Sequence, residues 1–235
     1  MAPQPLNIPA LLDQLEAFHG PQEPRWPIDP YQFLIWWHCG YPASDAACSR
    51  GWQALSKSVG IEPAQILAAS PAKLAAALKA GGMVPELRAA RLLEIAQRVQ
   101  NDFGGDLHAG LVGTVSQVRK ELKKFPGMGD PGVDRILLFA HVAAIAAVPS
   151  NCPHVLVRIQ AGKEPEDYGA TYRLAKSALE RELPAQFHAL TRAYLLLKEH
   201  GQTVCKRSKP QCDRCPLRDN CAYVAAKERS KSGSM

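Results

Sequence analysis

No stretch of the 235-residue sequence approaches the roughly 20 consecutive apolar residues that a membrane-spanning helix requires, so we predict no membrane association. No signal peptide is recognised, which leads us to expect a reducing, cytoplasmic compartment. The alternation of apolar and polar residues that is typical of strands is nearly absent, whereas short segments with helical spacing recur. The sequence therefore predicts an all-α globular protein of one domain or two small ones.

Acidic residues are outnumbered by basic ones, and the net charge of +6 with a pI near 9.0 favours a polyanionic partner. The positive charge is concentrated in two places. One basic group precedes a glycine-rich turn and the other lies among cysteines: Arg119, Lys120, Lys123 and Lys124 in the first, and Lys206, Arg207, Lys209, Arg214 and Arg218 in the second.

Four cysteines near the end of the chain, Cys205, Cys212, Cys215 and Cys221, follow the spacing Cys-x6-Cys-x2-Cys-x5-Cys. The residues between them are polar, basic and interrupted by proline, so this segment needs a metal as its core. Structural zinc is an alternative, but zinc sites usually pair two short Cys-x2–4-Cys knuckles, and the longer arms here favour a larger cluster. Disulfides are a further alternative, disfavoured by the expected reducing compartment.

The rest of the chain divides into short segments with helical periodicity that end at glycine or proline. A proline-rich stretch over residues 21–30 separates the first segment from the others as an arm or linker. The predicted helices cover about residues 8–18, 30–39, 46–59, 62–67, 71–80, 84–99, 115–125 and 131–148.

The joint between the last two predicted helices has the sequence FPGMGDPGVDRILLFA, residues 125–140. Gly127 and Gly129 permit positive φ and close backbone approach, and we expect Asp130 to cap the next helix with Pro131 at its first position. Unpaired N–H groups at such a helix start bind phosphate without reading base sequence. An ordinary helix-turn-helix corner inside a helical core is the alternative on these residues alone.

The cysteine spacing and the PGMG hairpin, in this order, resemble the endonuclease III and adenine glycosylase branches of the helix-hairpin-helix DNA glycosylases. The resemblance covers about residues 30–223 and implies a [4Fe-4S] cluster held by the four cysteines. It implies a six-helix barrel at 28–146, with the hairpin at about 115–140, and a helical cluster domain formed by 1–27 plus 147–225. Residues 226–235 are predicted to be a disordered tail.

Members of this family bind duplex DNA, flip a damaged or mispaired nucleotide into a cleft and cut its glycosidic bond. The resemblance therefore implies a nucleoid-associated DNA repair protein, which we expect to be a monomer. Its partner would be double-stranded DNA that is damaged or mismatched.

The resemblance is weakest at the catalytic positions. Pro131 occupies the column of the lysine that forms a Schiff base in bifunctional members, so lyase chemistry is not expected. The column of the catalytic aspartate holds Pro149 or Cys152, depending on the alignment, and neither offers a carboxylate. Asp134 is the candidate substitute for stabilising a cationic sugar, although acidic residues in a first helical turn commonly only complement the helix dipole.

Candidate contacts with DNA come from the hairpin and from two further side chains. Tyr41 is a candidate to stack on a base, or is simply half-buried at a helix end. His154 is a candidate donor to phosphate or base, or makes a structural hydrogen bond, and Cys152 is either reactive or a small buried residue. The predicted DNA-binding residues are Gly127, Met128, Gly129, Lys123, Lys124, Tyr41 and His154.

Two functions follow from the sequence, together with a more remote third. The first is a monofunctional DNA glycosylase, and the second is a catalytically silent relative that recognises distorted or damaged duplex. A zinc-stabilised protein-interaction domain is the third.

Overall fold

The computed structural model describes residues 6–232, with side chains described for residues 6–229. No strand occurs in this described part, so the predicted all-α fold class is confirmed. The described α-helices are α1 (Ile8–His19), α2 (Pro30–His38), α3 (Asp45–Ser58), α4 (Pro63–Ala68), α5 (Pro71–Leu78), α6 (Pro85–Phe103), α7 (Leu107–Gly110), α8 (Val115–Leu122), α9 (Asp130–Phe139), α10 (His154–Ala161), α11 (Tyr168–Glu182), α12 (Phe187–Thr203) and α13 (Ala222–Ser232).

Capping residues and prolines set most of the helix starts. The side chains of Asn7, Asp29, Ser44 and Ser70 accept hydrogen bonds from the first turns of α1, α2, α3 and α5. Proline occupies one of the first two positions of α1, α2, α4, α5 and α6, where its missing N–H is not needed. These signals explain why the predicted starts agree with the observed ones to within about two residues.

Two predicted segments differ from the structure. The helix predicted to continue to residue 148 ends at Phe139, because the chain turns at His141, which has a positive φ of 57°. The predicted disordered tail from residue 226 is wrong as far as Ser232, since α13 continues to that residue. Residues 233–235 of that prediction lie outside the described part of the chain.

Residues 24–142 form one compact unit, built from α2 to α9. Helix α2 is apolar on all sides and buries Leu34, Ile35 and Trp36 against its neighbours α3 and α6. Helix α9 is fixed through Arg135, whose guanidinium lies 3.8 Å from the ring centre of Trp26 and 4.5 Å from that of Phe33. This buried cation–π arrangement orients the helix that follows the glycine-rich turn.

The other compact unit contains, of the described residues, 6–23 and 143–232, with α1 and α10 to α13 as its helices. Helix α1 packs its apolar face on α12, and Arg192 of α12 forms ion pairs with Asp13 and Glu16 of α1. Helix α10 packs against α11, α12 and α13. The cysteine-rich segment lies between α12 and α13. No helix in the described part of the chain is both long enough and apolar enough to cross a membrane.

Candidate functional site

The glycine-rich turn joins α8 to α9 in a tight hairpin. Only Gly127 has a positive φ, of 68°, whereas Gly129 is extended, with a φ of −96°. Of the two glycines that permit a positive φ, only Gly127 therefore adopts one. The predicted capping role of Asp130 is wrong, because Gly129 is the N-cap and Asp130 is the first helical residue, with its carboxylate in ion pairs.

Buried side chains hold the hairpin in place. Phe125 and Met128 are 2% and 7% exposed, and the end of the Met128 side chain packs against Gly132 of α9. His38 of α2 is fully buried and donates from Nε2 to the carbonyl oxygen of Pro126 at 2.9 Å. Burial lowers the pKa of His38 to about 4, so this ring is neutral near pH 7.

The predicted role of Met128 in binding DNA is contradicted by this packing. Its side chain is buried and its amide donates to the carbonyl of Phe125 at 3.3 Å, so neither group is available to a ligand. Gly127, Gly129 and Asp130 are exposed, and among the described residues their amides have no hydrogen-bond acceptor. Three unpaired N–H groups next to the start of α9 are suited to a phosphate.

An ion-pair network connects the two helices of the hairpin. Arg119 of α8 binds the carboxylates of both Asp130, at 2.8 Å, and Asp134. Lys123 also binds Asp130, at 2.7 Å, and this hydrogen bond lowers the pKa of that carboxyl group. Lys124 binds Glu121 one turn earlier in the chain. Arg119 and Lys123 therefore neutralise the acidic group that lies at the proposed phosphate site.

The structure does not support the predicted catalytic role of Asp134. Its side chain has no solvent exposure, and its carboxylate pairs with Arg119 inside the hairpin. A buried carboxylate that is already paired is not available to a sugar cation. In the sequence Arg119 is one residue of a basic run, and the signal for its pairing is that Asp130 and Asp134, four residues apart, share a helix face that a cation can neutralise.

The remaining predicted residues have mixed placements. Tyr41 is partly exposed and lies against Trp37, with ring centres 4.6 Å apart. His154 is 1% exposed and donates from Nε2 to the carbonyl of Cys205 at 2.8 Å, so its predicted contact with DNA is contradicted. Pro131 is partly exposed, and Pro149 and Cys152 are buried. Cys152 packs tightly against Gly201 of α12, which favours the interpretation as a small buried residue.

The four cysteines of residues 205–221 line one cavity together with apolar side chains that include Ile159, Val204 and Val224. No group of three Cys, His, Asp or Glu side chains in the described residues converges closely enough to hold a single metal ion. The four thiols share one cavity with apolar side chains, a donor set that fits an iron–sulfur cluster, which the cysteines would hold as thiolates. Burial raises the pKa values of Cys205 and Cys215 to about 11, so these groups are neutral thiols unless a metal displaces their protons.

Polar residues from neighbouring helices orient residues 205–221, the cluster loop. Arg158 of α10 is 6% exposed, donates to the carbonyls of Lys206 and Arg207, and pairs with Glu164. His200 of α12 is fully buried, and its Nε2 lies 3.5 Å from Sγ of Cys215. Burial lowers the pKa of His200 to about 3. Neither residue was singled out from the sequence, since an isolated Arg or His carries no signal of its own.

Comparison with known proteins shows a family match at the cysteines and a similarity of the chain to DNA glycosylases. Residues 205–221 match the sequence family described as the iron-sulfur binding domain of endonuclease III. The chain is 25% identical to thymine-DNA glycosylase of Aeropyrum pernix over 136 residues, which cover 58% of this chain and 57% of that protein. It is 31% identical to endonuclease III of Rickettsia conorii over 104 residues, which cover 44% of this chain and 46% of that protein.

Among solved structures, endonuclease III in a non-covalent complex with DNA matches with a TM-score of 0.75 at 18% identity, covering 94% of this chain and 97% of that chain. The fold is therefore that of endonuclease III. The matched stretches span about half the length of the two curated relatives. The family match at the cysteines implies a [4Fe-4S] cluster and favours it over zinc.

Proposed function

We propose that this chain, which resembles the endonuclease III-like helix-hairpin-helix DNA glycosylases, is a DNA repair protein that binds duplex DNA and excises a damaged or mispaired base. It acts as a monomer and as a monofunctional glycosylase, without lyase activity. The main support for this proposal is the hairpin between α8 and α9. Its unpaired amides lie beside Asp130, whose negative charge is neutralised by Arg119 and Lys123.

The hairpin amides supply the contact with the DNA backbone. The exposed amides of Gly127, Gly129 and Asp130 lie beside the start of α9, where the helix dipole favours an anion. The Asp130 carboxylate would repel phosphate, but Lys123 and Arg119 neutralise it. Contacts of this kind hold DNA without reading its sequence.

The cluster loop contributes a second basic region. Arg207 and Arg218 are occupied by Glu164 and Asp213, whereas Lys206 and Lys209 are exposed and have no ion-pair partner among the described residues. These two lysines are available to phosphate. The loop would be crosslinked by a [4Fe-4S] cluster held by Cys205, Cys212, Cys215 and Cys221, and this would fix where these lysines lie.

The absence of lyase chemistry follows from Pro131. A Schiff base requires a primary amine next to the sugar, and proline at this position has none. Excision would therefore leave an intact abasic site that breaks only after alkali. Borohydride would trap no covalent adduct between protein and DNA.

A panel of duplexes tests the reaction. It contains thymine or uracil opposite guanine, adenine opposite an oxidised guanine, and alkylated adenine, each incubated with protein and then divided between neutral and alkaline work-up. We expect strand breaks at one of these bases only in the alkaline samples. Breaks in the neutral samples, or a borohydride adduct, would contradict the monofunctional assignment.

A catalytically silent DNA-binding protein is the second candidate. The observation that favours it is the burial of Asp134 in a pair with Arg119. In addition, the column of the family's catalytic aspartate holds Pro149 or Cys152, depending on the alignment, and neither is a carboxylate. Tight binding to one lesion of the panel without excision of any base would select this candidate over the glycosylase.

Salt dependence tests the hairpin itself. Lys123→Gln should make the plot of log K against log salt less steep by up to about one unit of slope, because it removes one positive charge from the phosphate site and leaves the Asp130 carboxylate with only Arg119 to neutralise it. Gly129→Val should weaken binding to all sequences alike, since its extended backbone accepts a side chain that then shields the amides. His108→Gln, at an exposed residue of α7 in the same unit, is the control and should change neither quantity. Losses confined to particular sequences would refute phosphate recognition.

A further inference from the structure

Two histidines and one cysteine form a continuous polar chain within the unit that carries the cluster loop. Nε2 of His19, at the end of α1, lies 3.0 Å from Nδ1 of His200. Nε2 of His200 lies 3.5 Å from Sγ of Cys215, a distance at which an N–H group bonds to sulfur. His200 is fully buried and His19 is partly exposed, so the chain leads from the protein surface to the cluster cavity.

The chemistry of the ligand fixes the direction of these hydrogen bonds. Cys215, as a cluster ligand, is a thiolate, which accepts hydrogen bonds and cannot donate one. Nε2 of His200 must then carry the proton, and in a neutral ring Nδ1 becomes an acceptor. His19 faces Nδ1 of His200 and donates a hydrogen bond to it from its own Nε2.

We propose that His200 donates an N–H···S hydrogen bond to the Cys215 thiolate, and that His19 holds His200 in the tautomer which allows it to do so. Both are positioning residues, because neither is a ligand of the cluster. The proposal rests on the [4Fe-4S] assignment of the loop. It does not depend on whether the protein excises a base.

The expected consequence is electronic. An N–H···S bond withdraws electron density from the sulfur and stabilises the reduced cluster, which carries one more negative charge. Loss of this bond favours the oxidised cluster, so the reduction potential falls. The bond also shields the sulfur and orients it, so its loss should accelerate the release of iron to a chelator by about tenfold, the scale found for groups that support metal ligands.

The test is a spectroelectrochemical titration of the complete protein, loaded with its cluster and free of DNA. The variants are His19→Gln, whose amide N–H still donates to Nδ1, His19→Leu, which cannot donate, and His200→Phe, which removes the bond to sulfur. We expect His19→Gln to keep a potential close to that of the unchanged protein. The potential should be lower in His19→Leu and lowest in His200→Phe.

His188→Leu provides the matched control, because His188 is an exposed histidine on the same helix as His200. It should leave the potential and the rate of iron release unchanged. Equal potentials in all five proteins would overturn the proposal. A shift of the same size in His188→Leu would overturn it too, since the effect would then be a general one of losing a histidine from α12.

A measurement on the unchanged protein decides the tautomer even if a variant fails to fold. Nitrogen NMR of ¹⁵N-histidine-labelled protein with the oxidised cluster should show the His200 proton on Nε2 and a free lone pair on Nδ1. A proton on Nδ1 would contradict the proposal. Stoichiometric zinc in place of iron would overturn the cofactor assignment and this proposal with it, while leaving the DNA-binding role of the hairpin standing.

Discussion

Phe125 and Met128 are buried on the inner side of the hairpin, whereas residues 205–221 bury only Leu217 and Cys221. The hairpin also has an ion-pair network and the hydrogen bond from His38. In the cluster loop, Arg158 and His154 instead donate hydrogen bonds to backbone carbonyls, and the four thiols line a cavity. The protein itself therefore orders the hairpin, but it leaves the core of the loop to a cofactor.

The folding free energy of the two regions therefore has different sources. Burial of apolar side chains and pairing of charge are available as soon as the chain folds, so the hairpin needs no cofactor. A loop of polar and basic residues buries too little apolar surface to order itself. The energy of metal binding supplies what is missing, as in other small metal-dependent segments.

Removal of a cluster ligand should have the largest effect and separates the two regions most sharply. Cys212→Ser should lose iron and sulfide, about four of each per chain in the unchanged protein as a [4Fe-4S] centre requires, and should open residues 205–221 to protease. The hydrogen-bonded amides of Lys123, Phe125 and Met128 in the hairpin should exchange as slowly as before. Cys48→Ala, a buried cysteine of the hairpin's unit, is the control and should retain full iron. Faster exchange in the hairpin of Cys212→Ser would break the proposed independence.

Acid should weaken the hairpin through His38. Burial lowers the pKa of His38 from 6.5 to about 4, so between these values the unfolded chain binds a proton that the folded one does not. The stability from the neutral ring is complete above pH 6.5 and is lost as the pH falls towards 4. The loss is at most about 3 kcal/mol, because one pKa unit corresponds to about 1.4 kcal/mol.

Urea unfolding at several pH values, compared between the unchanged protein and His38→Gln, measures this contribution. The variant should be less stable near pH 7 and should lose less stability on acidification. His154 and His200 also have pKa values lowered by burial, and they contribute equally to both proteins, so only the difference reports His38. Parallel pH profiles would show that His38 plays no part.

The carboxylates paired with Arg119 provide a matched comparison within the hairpin. Asp134→Asn should cost about 2 kcal/mol in the free energy of unfolding, less than the roughly 3–5 kcal/mol of a fully buried pair, because Arg119 remains partly exposed. Asp130→Asn should cost less than about 1 kcal/mol, since its carboxylate is half exposed. Equal costs in urea unfolding would contradict the distinction drawn from burial.

Much of the hairpin and the loop was predictable from the sequence, because both depend on local patterns. The cysteine spacing and the PGMG turn are read from neighbours in the chain, and the helix starts follow from caps and prolines. The predictions that the structure contradicts concern side chains whose partners are distant in the sequence. His154 bonds to Cys205, and Asp134 bonds to Arg119, contacts that no local pattern specifies.

The polar chain from His19 to Cys215 shows the same limit more strongly. It brings together residues from the two ends of the sequence, and only the packing of α1 on α12 makes them neighbours. Helix periodicity indicates which face of α1 is apolar but not which helix covers it. The predicted capping role of Asp130 is wrong for a related reason. Its carboxylate forms ion pairs with Lys123 and Arg119 and does not cap the helix.

The two glycines of the hairpin provide the finest comparison, since they differ by two positions and in the sign of φ. Gly127→Ala should cost about 1–2 kcal/mol, because its φ of 68° lies in the left-handed region and the added Cβ would lie 3.3 Å from Cε1 of His38. Gly129→Ala should be neutral or slightly stabilising, because its φ is −96° and the nearest atom to its Cβ, Cδ of Pro131, is 3.8 Å away. Urea unfolding of both variants measures the difference. Equal destabilisation would mean that the backbone of the hairpin, and therefore the direction of its amides, is not the one described here.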